Sequence, residues 1–164
     1  MARRGWRARE LWAGLVASAA LAGAAAATPA APDIRAQDLE GHPRTLAQLA
    51  GRPTILVLVR SDCGPCLIEL RNIAAIKSAA GQARLVLLAV ESRDDARRFL
   101  LRAQLPHRDL WAADAAPGEV LVKLNGDPPR LPLAVALDRS GAICARHLGL
   151  LGTDRVRDWV RQCS

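Results

Sequence analysis

Large aromatic side chains are nearly missing from this chain: tyrosine does not occur, phenylalanine occurs once, and the aromatic share is 3%. A core must therefore be assembled from Leu, Val, Ile and Ala, in keeping with a hydrophobic content of 51%. The same scarcity weighs against a single-strand nucleic-acid platform, which stacks bases on rings set among basic residues. The net charge of +7 does not restore that function, because Arg3, Arg4, Arg7, Arg9 and Glu10 supply +3 of it ahead of an apolar run. Arginine outnumbers lysine 21 to 2 and the rest of the positive charge is dispersed. Dispersed mild basicity bears on solubility and association rather than on a binding site. Internal repeats are lacking, and a length of 164 residues predicts one domain with one packed core and one site.

The first 27 residues read as a targeting segment. A basic stretch, MARRGWRARE, precedes the apolar run Leu11–Ala27, which ends in small residues at Ala25 and Ala27 suited to a signal peptidase. A retained membrane anchor is the other reading, and 17 residues lie at the short edge of what spans a bilayer. Either way the folded part is expected outside the cytoplasm, where disulfides persist. Residues 28–32 form a Pro/Ala connector, and 33–164 form the domain.

Strand and helix patterns alternate along that domain. Pro53–Val59 and Arg84–Val90 are continuous apolar runs, the pattern of strands buried on both faces. Leu133–Leu137 is a third strand, and the turn Asp138-Arg139-Ser140-Gly141 returns the chain into Ala142–Leu148 as its hairpin partner. Helices are expected over Cys66–Ala80, over Asp94–Ala103, and from a cap at Thr153 or Asp154 to the end, with Val156, Trp159, Val160 and Cys163 on one face. This order implies an α/β fold, a mixed central sheet covered by helices on both sides.

Cys63-Gly64-Pro65-Cys66 stands where the first strand meets the first helix. A thiolate is the attacking species in disulfide exchange, and amides at a helix N-terminus stabilise its charge. Cys63 is thereby the nucleophile and Cys66, one turn on, the residue that resolves a mixed disulfide. Pro65 fits the first helical turn, where its missing N–H costs nothing. Half a zinc site or a structural staple are the alternatives, but a structural zinc usually takes four ligands and the chain has no second pair of this spacing.

Asp62-Cys63-Gly64-Pro65-Cys66 after an apolar strand, Glu69, and Leu131-Pro132 before the strand that ends in Asp138-Arg139-Ser140-Gly141 resemble the exported thioredoxin-like reductants of cytochrome c maturation and copper-site assembly. The resemblance runs from about Asp33 to Gln162. It includes an opening segment around Gly41–Pro53 and a central insertion between Val90 and Leu131, and it implies a thioredoxin fold. It also implies that Pro132 is a cis-proline beside the active pair, that Gly64, Pro65 and Leu131 contact substrate, and that Glu69 relays the proton Cys66 must lose. The bland readings are a trans proline opening a strand and a solvated charge on a helix. Three positions depart from the family pattern. Asp62 replaces a tryptophan and should oppose thiolate formation, with Arg60 able to offset it. Val57 stands where thioredoxins often bury a carboxylate, and Arg71 replaces a proline.

Cys144 and Cys163 are either a structural disulfide or two separate buried thiols. His42, His107 and His147 are scattered, and a copper site would need one of them beside Cys63 and Cys66. Asp127-Pro128-Pro129-Arg130 is a partner contact or an ordinary loop. The expectation is a periplasmic thiol-disulfide oxidoreductase with no cofactor beyond its Cys63–Cys66 disulfide and no resident metal. It would reduce disulfides in a client protein and be recharged by a membrane thiol reductase, since the Gly-Pro dipeptide is that of thioredoxins, reductants at about −270 mV. A metal-binding assembly factor and a disulfide oxidant or isomerase are the competing functions.

Overall fold

The computed structural model describes residues 31–103, 109–125 and 130–164. The targeting segment, most of the connector, His107, Asp127, Pro128 and Pro129 lie outside the described residues. Seven strands form one sheet: β1 (Arg35–Asp38), β2 (Pro43–Thr45), β3 (Thr54–Val59), β4 (Arg84–Ala89), β5 (Leu110–Ala113), β6 (Leu133–Leu137) and β7 (Ile143–Leu148), in the order β2-β1-β5-β4-β3-β6-β7. β3, β4 and β5 run parallel, while β6 lies antiparallel on β3 and β1 antiparallel on β5. Around the sheet lie α1 (Gly64–Arg71), α2 (Ile73–Ala80), α3 (Arg93–Ala103), α4 (Pro117–Asn125), α5 (Thr153–Gln162) and a 3-10 turn at Leu46–Leu49.

Why β3 from Ile55 and β4 from Leu85 are continuously apolar follows from the pleat, which turns successive side chains to opposite faces. Ile55, Val57 and Val59 with Leu85, Leu87 and Ala89 build one core, closed by residues of α1, α2, α3 and α5. Leu56, Leu58, Val86, Leu88 and Val90 build the other with Leu133, Val135 and Leu137, closed by α4 and by Leu46 and Leu49. The sheet is therefore covered on both sides, as its sequence pattern implies.

Local chemistry moves three boundaries. The helix expected over Cys66–Ala80 begins at Gly64 and is interrupted at Asn72, whose N–H donates to the Glu69 and Leu70 carbonyls and whose backbone ends α1 and begins α2. Leu67 is 37% exposed, while Leu70 and Ile76 are buried. The last helix is capped by the backbone of Gly152 and not by Thr153 or Asp154; Asp154 lies in its first turn, where the dipole favours a negative charge. The central insertion contributes β5 and α4 besides α3; four residues of β5 are too few for periodicity to reveal.

A bulge in β7 settles the direction of Cys144. Ala145 pairs with Ala136 and Ile143 with Leu137, which leaves Cys144 unopposed. Cys144 and Ala145 in succession therefore turn toward the first core, and Ile143 toward the second.

Asp38 secures the hairpin between β1 and β2. Its Oδ1 accepts the N–H groups of Glu40 (3.1 Å) and His42 (2.8 Å), and its Oδ2 accepts from the Arg44 guanidinium at 2.8 Å. Burial acts to raise its pKa, but these donors and the neighbouring His42 ring outweigh it and hold the carboxyl well below the usual carboxylate range. Because the folded pKa is depressed, the stabilisation is full above the ordinary value and is lost as pH falls through the folded one. Asp38→Asn should thus lower the melting temperature at neutral pH, with the gap to the parent closing in strong acid.

Candidate active site

Cys63 and Cys66 are joined in a disulfide with Cα atoms 5.2 Å apart. β3 delivers the chain to Arg60, and after a short turn Cys63 takes an extended conformation as the N-cap of α1, with Pro65 in the first turn. The Cys63 sulfur accepts the Cys66 backbone N–H at 3.2 Å. A helix-terminal amide thus points at the atom that carries negative charge in the thiolate. The two sulfurs differ in access, since Cys66 is fully buried in the first core and Cys63 is half-buried at its edge. Gly64 and Pro65 are exposed beside them, followed by the apolar Leu67 and Ile68.

Two carboxylates bear on the turn that carries Cys63. Asp62 pairs with Arg60 at 2.9 Å, with side chains 64% and 42% exposed, so the arginine and the solvent both moderate its field at Cys63. Glu91, absent from the sequence-based candidates, accepts the Ser61 N–H on both oxygens (3.0 and 3.1 Å) and the Ser61 hydroxyl. Its only signal in the sequence is a charge directly after an apolar strand. The parallel register of β3 and β4, with Val90 N–H donating to the Val59 carbonyl, is what brings it to Ser61.

Glu69 is 2% exposed on the inner side of α1, three residues after Cys66. Its two oxygens share the Leu151 N–H at 2.9 and 3.1 Å. Burial raises its pKa, and the Leu151 hydrogen bond offsets part of that rise. The Leu131–Pro132 peptide is cis. Pro132 is buried, its carbonyl accepts the Gly149 N–H at 2.9 Å, and Leu131 packs half-buried against both cores. Val57 is buried in the first core, so Glu69 is the carboxylate that the first core holds there.

Cys144 and Cys163 form a second disulfide, Cα atoms 5.9 Å apart, which links β7 to the end of α5. Of the three histidines, the two among the described residues make their contacts elsewhere than at Cys63 and Cys66. His42 lies with Asp38 and Glu40, and His147 Nε2 lies 3.1 Å from the Leu150 carbonyl. Among the described residues, the potential metal-binding group of three is Asp38, Glu40 and His42, which includes neither Cys63 nor Cys66. Arg44 already supplies a positive charge to that cluster. No helix among the described residues is long and apolar enough to cross a membrane.

Residues 28–158 match the AhpC/TSA family. No curated protein matches the sequence. Among solved structures, the chain is similar to dsbF of Mycobacterium tuberculosis (18% identity, TM-score 0.66), over 84% of this chain and 99% of that one. It is similar to a thioredoxin-family thiol:disulfide interchange protein of Chlorobium tepidum at 22% identity and TM-score 0.62, over 85% and 99%. A third likeness, at 20% identity and TM-score 0.59 over 77% and 93%, is to a secreted M. tuberculosis disulfide oxidoreductase homologous to E. coli DsbE. The shared feature at these identities is the thioredoxin-like fold.

Proposed function

Because this chain belongs to the AhpC/TSA family and has the thioredoxin-like fold with a Cys63-x-x-Cys66 pair, we propose that this thiol-disulfide oxidoreductase is exported and reduces disulfides in client proteins. The observation that carries the reading is the placement of the half-buried Cys63 sulfur on the Cys66 N–H at the start of α1. In the reduced protein the Cys63 thiolate attacks one client sulfur, forming a mixed disulfide and releasing the other client sulfur, which takes up a proton. Cys66 then loses its proton and attacks the Cys63 sulfur, which frees the second client thiol and leaves Cys63–Cys66 oxidised. Two electrons from a membrane thiol reductase restore the dithiol. Export is supported by the order of basic, apolar and small residues in 1–27, and by the secreted M. tuberculosis relative in fold. The resemblance to reductants of cytochrome c and copper-site maturation points to clients of that kind. Exposed Leu67 and Ile68, with Gly64, Pro65 and Leu131, offer an apolar rim for them.

The reduction potential of the Cys63–Cys66 pair tests the direction of transfer. A value below about −230 mV, read by thiol trapping across defined redox buffers, is expected for a reductant; about −120 to −180 mV would make the protein an oxidant or isomerase.

Glu69 is the proton acceptor for Cys66 in this mechanism, since a buried carboxylate of raised pKa holds a proton more readily than a solvated one. Glu69→Gln should slow resolution of a Cys63 mixed disulfide by about 10²-fold. It should also change the pH dependence of stability. A glutamate whose folded pKa is raised favours folding below its ordinary value of 4.5, and that contribution is lost as pH rises through the folded pKa. The parent should lose stability over that interval and the Gln variant should lose less, as melting temperatures across pH would record.

A further inference from the structure

The three residues after β7 reach both Pro132 and Glu69. Gly149 N–H donates to the Pro132 carbonyl at 2.9 Å, and two residues later the Leu151 N–H donates to Glu69. Leu150 lies between them, its carbonyl 3.1 Å from His147 Nε2. Leu151 is 4% exposed, and α5 begins two residues beyond it. Gly149 has φ +98°, a conformation that strains any residue with a side chain, although a Cβ there would meet only His147 Nε2 at 3.9 Å. Alanine at this position would disturb the segment through its backbone and not through a clash.

The Cys144–Cys163 bridge spans this segment. It joins β7, which leads into Gly149, to the far end of α5, which leads out of Leu151. The bridge holds β7 and α5 together on either side of the segment, which limits how far the segment can lift from Glu69. Among the described residues, the hydrogen bonds to the Glu69 carboxylate come from Leu151 N–H alone. Lifting the segment would remove that donor and admit water, and the water matters more because burial is the larger influence on this group.

We propose that Gly149–Leu151 is a positioning strap that seats Glu69 and ties it to Pro132, and that the Cys144–Cys163 bridge keeps the strap shut. Its catalytic meaning rests on Glu69 being the proton acceptor for Cys66. Cys66, three residues before Glu69 on the same helix, belongs to the first core, as do the cysteines of the Cys144–Cys163 bridge, and the influences on the Glu69 carboxyl are its burial and the Leu151 N–H, with no charged partner. α2, β3 and α5 turn apolar side chains to the same core, among them Ile76, Val57 and Trp159.

Infrared difference spectroscopy of the oxidised full chain, referenced to Glu69→Gln, reads the Glu69 carboxyl directly while no active-site thiol titrates. Cys144→Ala/Cys163→Ala and Gly149→Ala should each move its midpoint down toward the ordinary glutamate range; an unchanged or higher midpoint overturns the proposal. Should the double variant not fold, Gly149→Ala, which keeps the bridge, still decides the strap. Resolution of a glutathione mixed disulfide on Cys63, followed across pH, is the second readout. Each strap variant should slow it about tenfold with Glu69 present and not further in the Glu69→Gln background. Equal slowing in both backgrounds would mean general loosening and overturn the strap. If Glu69→Gln alone left resolution unchanged, the proton-acceptor reading would fall, and the infrared midpoint would still judge the strap.

Discussion

Cys66→Ala should convert a passing intermediate into an isolable one, with client proteins held on Cys63 through a mixed disulfide and turnover reduced to background. The expectation follows from how the two cysteines are used. The substitution removes the sulfur that resolves the adduct, yet it leaves the residue 66 backbone N–H that donates to the Cys63 sulfur at 3.2 Å. Cys63 therefore keeps the helix-terminal stabilisation of its thiolate. It also becomes unable to hide in an internal disulfide, so the whole population can react. Packing should survive, because Cys66 fills a small buried space that alanine leaves only slightly underfilled. Adducts separated without reductant and identified by mass spectrometry would name the clients, and they must vanish with Cys63→Ser. Finding none in the exported fraction would contradict the proposed reaction.

The second large effect concerns stability. Cys144→Ala/Cys163→Ala should cost about 3 kcal/mol, the chain-entropy value for opening a loop whose ends are 19 residues apart. For a domain of this size that is roughly a 10 °C fall in melting temperature. β7 is an edge strand with a neighbour on one side only, and the bridge ties it to α5, which packs on α2. Strong reductant should lower the parent's melting temperature by more than the variant's, since in the variant it opens only Cys63–Cys66. Equal stability of parent and variant under oxidising conditions would show that strand pairing and the α5 core contacts suffice.

The central strands and the active pair could be read without coordinates because their causes are local. A strand buried on both faces must be apolar along its length, and β3 is from Ile55 to Val59. A proline in the first turn and cysteines three apart place one sulfur at the cap and the other one turn inward whatever surrounds the helix. Asn72 shows the limit even of local reading, since apolar spacing continued through a residue whose backbone divides the helix. β5 and α4 escaped because a four-residue strand has too few positions for a period, and its identity depends on pairing with β4 and β1.

Long-range geometry governed the rest of the site. Leu151 and Glu69 are 82 residues apart, and only the packing of α5 against the first core brings the amide to the carboxylate. Glu91 meets Ser61 across 30 residues through the parallel register of β3 and β4. Cys144 faces Cys163 because a one-residue bulge turns it, and a slip of one position in a strand exchanges its two faces. Composition, spacing and propensity act within a few residues, and so they determined β3, β4, β6 and β7, the nucleophile and its partner sulfur. The environment of Glu69 and the pairing of the second disulfide were decided by tertiary packing, since burial and hydrogen-bond partners belong to the folded arrangement and not to any one segment.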